Sequence, residues 1–391
     1  RFERMYKVWD YLRKNTDRRH PTSIAKMRKD ENINTYIGDK ETINRLLKDM
    51  ANIMNLEDGG SDYKPEAEWR LYFDDFKKFY GDKERYERDD SDEDDSYIAN
   101  VMRIKNLYYN RTFSEKEVDS IIEGIMATRT LDSKSAQELV RKVEDNMTTV
   151  FYKRTPRHIC KVQEPELADR ELLKDNLAII QKAIDDNVRI QFRFNGYSYE
   201  KKLEPVREES DELSPYYIVA SGGKYYLLAA KEYEDYKPDM SIWRIDLMTD
   251  IEIPGRNDRL HIKGIPRIPK KNVSNLPEKW SEDFQLKHLN MSFDKPVPVT
   301  LRIKSEKCED NPKKRIRPGY TFLHDWFGDS FTYIRTETKP PYDDIVRVEC
   351  SPYGMAHWAL QYSELVEVLE PESLRKDIKS KIKALNEKYA L

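Results

Sequence analysis

The sequence predicts an α+β multidomain protein: a winged helix-turn-helix head, a helical linker, a small β-barrel and a small α/β C-terminal domain. Three observations carry that prediction. Apolar residues recur at helical spacing from Phe2 to Ile53 under an excess of basic charge. The pattern switches to period two at Val188, and helical spacing returns for good after Tyr353.

The head comes first. Phe2, Met5, Val8, Trp9 and Leu12 share one face of a first helix. His20-Pro21-Thr22-Ser23 opens a second, short helix that carries Ile24 and Met27. Asp39 is a good N-cap for a third, whose apolar positions are Ile43, Leu46, Leu47, Met50 and Ile53. Three short helices with a basic outer face are the minimum helix-turn-helix layout. Residues 69–73 and 102–109 supply two strands of a wing, and the acidic run Asp89-Asp90-Ser91-Asp92-Glu93-Asp94-Asp95 is a loop inserted between them.

Ser114 and Glu117 fit a capping box ahead of Val118, Ile121, Ile122 and Ile125. A partner helix with Ala136, Leu139, Val140, Val143 and Met147 completes a helical hairpin, and a further helix carries Leu173, Leu177, Ile180 and Ile184. Arg189-Ile190-Gln191-Phe192-Arg193-Phe194 then alternates as a strand, and Asn195-Gly196 predicts a tight hairpin turn. Strands over 217–220, 224–230 and 242–247 suggest a small barrel. The Pro-, Lys- and Asn-rich stretch 254–298 reads as a linker; strands at 299–303, 331–334 and 345–348 and helices at 353–362 and 374–389 follow. The predicted boundaries are 1–110 for the head with its acidic wing insertion, 111–165 for the helical linker, 166–262 for the barrel, 263–290 for a linker and 291–391 for the C-terminal domain.

Composition narrows the function classes. Charged residues make up 36% and the mean hydropathy is -0.88, while 25 Tyr, 13 Phe and 6 Trp argue against wholesale disorder. No apolar run approaches a bilayer span, and no charged-then-apolar leader opens the chain, which starts at Arg1. Cys160, Cys308 and Cys350 are far apart and odd in number, the usage of a reducing compartment, so the expected location is the cytoplasm. The net charge of -3 conceals a basic head: residues 1–54 hold 13 Lys/Arg against 8 Asp/Glu, a balance of +5.

Three stretches of the C-terminal half carry a family resemblance. Residues 214–229, with Tyr225-Tyr226-Leu227 where the signature is Trp-Tyr-Leu, resemble the centre of a WYL domain. Trp243-Arg244-Ile245-Asp246-Leu247-Met248 resembles that domain's Phe-Arg-x-Asp-Arg-Ile element, with Leu247 replacing the second Arg. His357-Trp358-Ala359-Leu360-Gln361-Tyr362 and the stretch from Val366 to Arg375 look like the C-terminal extension (WCX type) of many WYL proteins. Thr42-Ile43-Asn44-Arg45 is similar to the recognition-helix start of WYL-type helix-turn-helix transcriptional regulators. The resemblance implies an Sm-like five-stranded barrel, a dimer, and a sensor for nucleic acid or nucleotide ligands. The long acidic stretch between the wing strands departs from the family.

On the third helix, Lys40, Thr42, Asn44, Arg45 and Lys48 are expected to contact duplex DNA, the short side chains reading base edges and the cations holding phosphates. An ordinary solvated helix face is the alternative. In the barrel, strand alternation puts Tyr226 on the face opposite Tyr225 and Leu227, and Arg244 opposite Trp243 and Ile245. If both project from one surface, a base stacks on the Tyr and the Arg holds a phosphate. Arg193, Ser214, Tyr216 and Lys224 are the further candidates for this ligand site. The competing reading is a surface Tyr and Arg stacked for solubility.

Lys313-Lys314-Arg315 with Arg317 is a second basic run, and Leu374, Ile378, Ile382, Leu385 and Tyr389 form one apolar stripe, either a core face or a dimer seam. Six His without an i,i+4 pair and Cys without paired spacing predict no metal site and no cofactor, and no catalytic constellation is recognisable. The function expected is ligand-gated binding of duplex DNA by a homodimer, with a nucleotide or single-stranded nucleic acid as ligand. The alternative is a single-strand-binding accessory modulator of a CRISPR or other defence system.

Overall fold

A computed structural model describes residues 2–56, 64–65, 68–74, 104–128, 130–154, 170–233, 235–304, 307–308, 311–315 and 319–389. The chain divides into two compact units, Arg1–Pro165 and Glu166–Leu391.

In the first unit, α1 (Phe2–Asn15) buries Val8 and Leu12. Ser23 caps the short α2 (Ile24–Met27) by accepting from the Lys26 amide. The sequence did not announce α3 (Asn34–Ile37), a single turn that buries Ile37 and stops at Gly38, whose positive φ suits glycine. Asp39 caps α4 (Lys40–Asn55) as expected, accepting from the Thr42 amide at 2.8 Å. The expected wing strands reduce, among the described residues, to β1 (Leu71–Tyr72) paired antiparallel with β2 (Tyr108–Tyr109). The acidic run, with Met102 and Arg103, lies outside the described residues. Buried Asn55 ties the end of α4 to β1: its amide donates to the Leu71 carbonyl at 2.8 Å and its oxygen accepts from the Arg70 amide at 2.8 Å.

The capping box of Ser114 and Glu117 opens α5 (Glu115–Ala127), and Asp132 caps α6 (Ser133–Met147). Val118, Ile122, Val140 and Val143 form the core of this helical hairpin. Arg111 clamps it to α1, donating to the Thr16 carbonyl at 3.2 Å and the Thr148 carbonyl at 2.9 Å. Both acceptors lie at helix C-termini, where carbonyls lack intrahelical partners.

In the second unit, α7 (Arg170–Asp186) lies on a curled antiparallel sheet. Its strands are β3 (Ile190–Tyr197), β4 (Leu203–Pro205), β5 (Asp211–Ser221), β6 (Lys224–Ala230), β7 (Met240–Arg244) and β8 (Met248–Glu252). The hydrogen-bonded order is β4-β3-β5-β6-β7, and β8 returns to pair with β3. A single 3-10 turn, Ile245–Leu247, joins β7 to β8 and lets the sheet bend back on its first strand. Leu173 and Ile180 of α7 pack with Ile190, Phe192, Leu227, Ile245 and Met248. Each such fully buried side chain contributes about 1.5–3 kcal/mol.

Two expectations change here. Asn195-Gly196 is not a hairpin turn but part of β3, and the chain turns back after Ser198, whose amide donates to the Lys202 carbonyl. Asn195 is buried, and its amide donates to the carbonyls of Leu247 (3.0 Å) and Arg193 (3.1 Å) and to Thr249 Oγ1 (3.0 Å). Stitching β3 to the 3-10 turn outweighs the local turn preference. The stretch read as a linker is a strap across the sheet, burying Ile268, Val273, Phe284 and Met291. Its short helix α8 (Phe284–Lys287) leads into the C-terminal domain.

That domain contains β9 (Val297–Ile303), the hairpin β10 (Lys307–Cys308) and β11 (Asn311–Arg315), α9 (Thr321–Phe327), β12 (Thr332–Thr336), β13 (Asp344–Cys350), α10 (Pro352–Gln361), β14 (Val366–Glu370) and α11 (Glu372–Tyr389). The main sheet is antiparallel in the order β12-β13-β9-β14, with Trp358 and Phe327 fully buried in its core. Of the basic run, the backbone of 313–315 is in β11, while its side chains and Arg317 lie outside the described residues.

Candidate functional site

The site is built on two adjacent strands. In the β6–β7 ladder Tyr226 is directly opposite Arg244, and Leu227 opposite Trp243. Leu227 points into the core, so the Tyr226–Arg244 pair projects from the other face. On β5 the neighbour of Tyr226 is Val219, and that of Lys224 is Ser221. Val219, Tyr226 and Arg244 therefore form one row across three strands, with Lys224 one step along the same face. Further along this face, Tyr217, Leu228 and Ile242 lie under Phe284 and Met291 of the strap. Tyr226 stands at the margin of that cover, half-buried.

Arg244 is fixed from below. Its Nε and Nη2 donate to the two carboxylate oxygens of Asp246 at 3.2 and 2.6 Å, and the Asp246 side chain is 2% exposed. Burial disfavours the charged guanidinium, but the hydrogen bond and charge of Asp246 outweigh it, and the Arg244 pKa is raised. Burial likewise raises the Tyr226 pKa against the opposing charge of Arg244, so the phenol stays neutral. Two buried asparagines hold the turn that carries Asp246. Asn176 of α7 donates to the Ile245 and Met248 carbonyls at 3.3 and 2.8 Å, and Asn195 donates to Leu247. Asp246 appears in the family-like element, but nothing in the sequence marks Asn176 or Asn195 as its supports.

The remaining barrel candidates divide. Lys224 shares the face of Tyr226. Arg193, half-exposed, sits opposite Thr249 and is 3.8 Å from Asp250. Ser214 and Tyr216 are corrections, because both are buried and spent on the strap. Ser214 Oγ accepts from the Ile268 amide at 3.0 Å, and the Tyr216 hydroxyl donates to the Ile268 carbonyl at 2.7 Å. Arg267 covers the Tyr216 ring, 5.0 Å from its centroid. The strap takes the surface that strand alternation alone leaves open.

In the first unit, Lys40 and Arg45 are exposed on α4 and Lys48 is half-buried. Arg45 pairs with Glu41 at 2.7 Å, a surface bridge of small energetic weight. The Thr42 hydroxyl donates to Asp39 at 2.7 Å and so belongs to the helix cap. Asn44 is a correction: it is 1% exposed and packs into the head. It begins the stripe Asn44, Leu47, Ala51 and Asn55, all buried, so the buried face of α4 is wider than the apolar residues alone mark out. Among the described residues no three His, Cys, Asp or Glu side chains gather where they could hold a metal ion, and no helix is long and apolar enough to cross a membrane.

Residues 175–253 match the WYL domain and residues 295–385 match the WCX domain. The chain thus carries a WYL domain, containing the Tyr226–Arg244 face, followed by a WCX domain. No curated protein sequence matches the chain. Among solved structures it is similar to proteasome accessory factor B/C (PafBC) of Arthrobacter aurescens, with 16% identity, 74% of this chain and 40% of that chain covered, and a TM-score of 0.22. This chain thus spans less than half the length of that protein. It is also similar to a protein described as CRISPR Cas-related, with 13% identity, 89% and 87% coverage, and a TM-score of 0.31.

Proposed function

We propose that this chain is a ligand-responsive transcriptional regulator of the cytoplasm, acting by binding and not by catalysis. Its WYL domain takes a nucleotide or single-stranded nucleic acid, and its head is a winged helix-turn-helix that docks on duplex DNA. The observation that carries the sensor half is the Tyr226–Arg244 pair, a ring and a cation side by side on an accessible sheet face. A base stacks on the Tyr226 ring. Asp246 engages Nε and Nη2 of Arg244, which leaves Nη1 to meet a phosphate oxygen. Lys224, on the same face, adds charge without a fixed fork. In the head, Lys40, Arg45 and Lys48 supply phosphate contacts that set the docking of α4. With Asn44 buried and Thr42 in the cap, base reading falls to other residues of the head. A ligand that favours one arrangement of a dimer shifts the population toward it, and with it the affinity for DNA.

A genome-wide footprint of the tagged protein, followed by titration of the recovered duplex, tests this reading. The expected result is a promoter-bound footprint and salt-dependent duplex binding. Arg45→Ala with Lys48→Ala weakens that binding and flattens the salt slope by about two, roughly one for each phosphate contact. Preference for single strands with no duplex site overturns the DNA half and favours the accessory-modulator alternative.

A further inference from the structure

We propose that Tyr197 is a second stacking platform beside Arg244, so that the smallest ligand this surface holds well is two linked nucleotides of a single strand, not one. The inference rests on the sensor reading of Tyr226 and Arg244 and adds a residue that no motif marks.

The placement of Tyr197 follows from strand register. In the β3–β8 ladder Arg193 is opposite Thr249 and Phe194 opposite Met248. The side chain of Asn195 extends that contact one residue further, reaching the Leu247 carbonyl at 3.0 Å. Continuing the same antiparallel register, Tyr197 comes alongside the turn Ile245–Leu247, which starts at Arg244. Phe192 and Phe194 pack with the core around Leu227, so the alternate positions Arg193 and Tyr197 face away from that core. Tyr226 also faces away from it. Tyr197 is 44% exposed, enough to offer a ring to a ligand. Tyr226 and Tyr197 both act electrostatically on the Arg244 guanidinium, in keeping with the register that brings Tyr197 near it.

Two rings near one guanidinium match the repeat of a single strand, base, phosphodiester, base. One base stacks on Tyr226, the linking phosphate meets Arg244, and the next base stacks on Tyr197. A duplex cannot do this, because its base faces are already covered by their neighbours. A mononucleotide uses one ring and leaves the other in water.

The test is a fluorescence-anisotropy titration of the full chain with labelled thymidine mononucleotide and dinucleotide. Wild type is expected to bind the dinucleotide about tenfold or more tighter, the contribution of one stack. Tyr197→Ala removes that advantage and leaves mononucleotide affinity unchanged, while Tyr197→Phe keeps it, because the ring and not the hydroxyl is used. Tyr197→Thr, a good strand former, takes the place of Tyr197→Ala if the latter melts low. An undiminished dinucleotide advantage in Tyr197→Ala, with both ligands weakened by Tyr226→Ala, overturns this inference and leaves the sensor reading standing. Failure of wild type to bind either ligand, or indifference of both to Tyr226→Ala, overturns the sensor reading and this inference with it.

Discussion

Tyr226 and Arg244 face each other across the β6–β7 ladder, and Arg244 is held at two points by a carboxylate that is almost wholly buried. The two residues therefore differ in what their removal does. Tyr226→Ala takes away a stacking surface and is expected to lower nucleotide affinity by about one to two orders of magnitude. Arg244→Ala takes away a phosphate contact and also strands Asp246, a loss of about 1–3 kcal/mol or more for a buried charged acceptor. Adding Asp246→Asn to Arg244→Ala restores part of the melting temperature but none of the affinity. Equal affinities for wild type and Tyr226→Ala would place the ligand elsewhere.

Ser214 and Tyr216 are expected to behave in the opposite way. Each makes one hydrogen bond with the strap at Ile268, and both are buried beneath it. Ser214→Ala and Tyr216→Phe should each lower stability by about 1 kcal/mol while leaving ligand affinity unchanged. Denaturant melts beside the ligand titration separate the two effects. Lost affinity at full stability would return these residues to the binding site.

The contrast between the two pairs shows what the sequence could disclose. Asp39, the capping box at Ser114 and the apolar positions Ile43, Leu46, Leu47 and Met50 of α4 are local signals that the structure uses where the sequence puts them, whereas Ile53, expected on the same face, is 69% exposed. That Tyr226 and Arg244 lie on outward positions was legible from alternation. That they are partners was not, because register depends on how distant strands meet. Asn195-Gly196 is a strong local turn signal, yet three acceptors around the Asn195 amide draw it into β3. Ser214, Tyr216 and Asn44 failed for one reason: a polar residue on an outward position is exposed only if nothing else packs there. The strap covers the first two, and the wide packing face of α4 takes the third.

His288 is expected to give the strap a pH dependence. It stacks on Phe284 with centroids 4.1 Å apart, and its Nδ1 is 2.7 Å from the Ser292 carbonyl. Burial pulls its pKa below the ordinary imidazole value, with the Lys287 charge acting the same way and the Ser292 carbonyl and Asp294 opposing. Below that ordinary value, about 6.5, the unfolded chain binds a proton that the folded chain resists. The stabilising contribution is therefore full above it and is lost as pH falls toward the lower folded value. Urea melts at neutral and mildly acidic pH should show wild type losing more stability than His288→Gln on acidification. Parallel losses would assign the acid sensitivity to other groups.

The dimer is expected to form through α11. Leu374 at its start is buried and Ile378 is partly covered, but the same stripe continues through Ile382, Leu385 and Tyr389, which are 50%, 44% and 74% exposed. From Leu374 these positions follow at intervals of four, four, three and four residues, so they share one side of the helix, and its far half offers that side to solvent. A second copy covers it most simply, since a two-fold axis brings identical apolar stripes together, and a helix-turn-helix protein reading a palindromic site needs the same axis. Burying such side chains contributes up to about 1.5–3 kcal/mol each. Ile382→Glu with Leu385→Glu should therefore raise the dimer dissociation constant by about a hundredfold or more. Because both side chains are already exposed in the single chain, the variant's fold should survive, which far-ultraviolet circular dichroism can check. Light scattering at micromolar concentration decides the matter. A wild-type monomer, or a dimer that the two glutamates leave intact, means that α11 is not the seam.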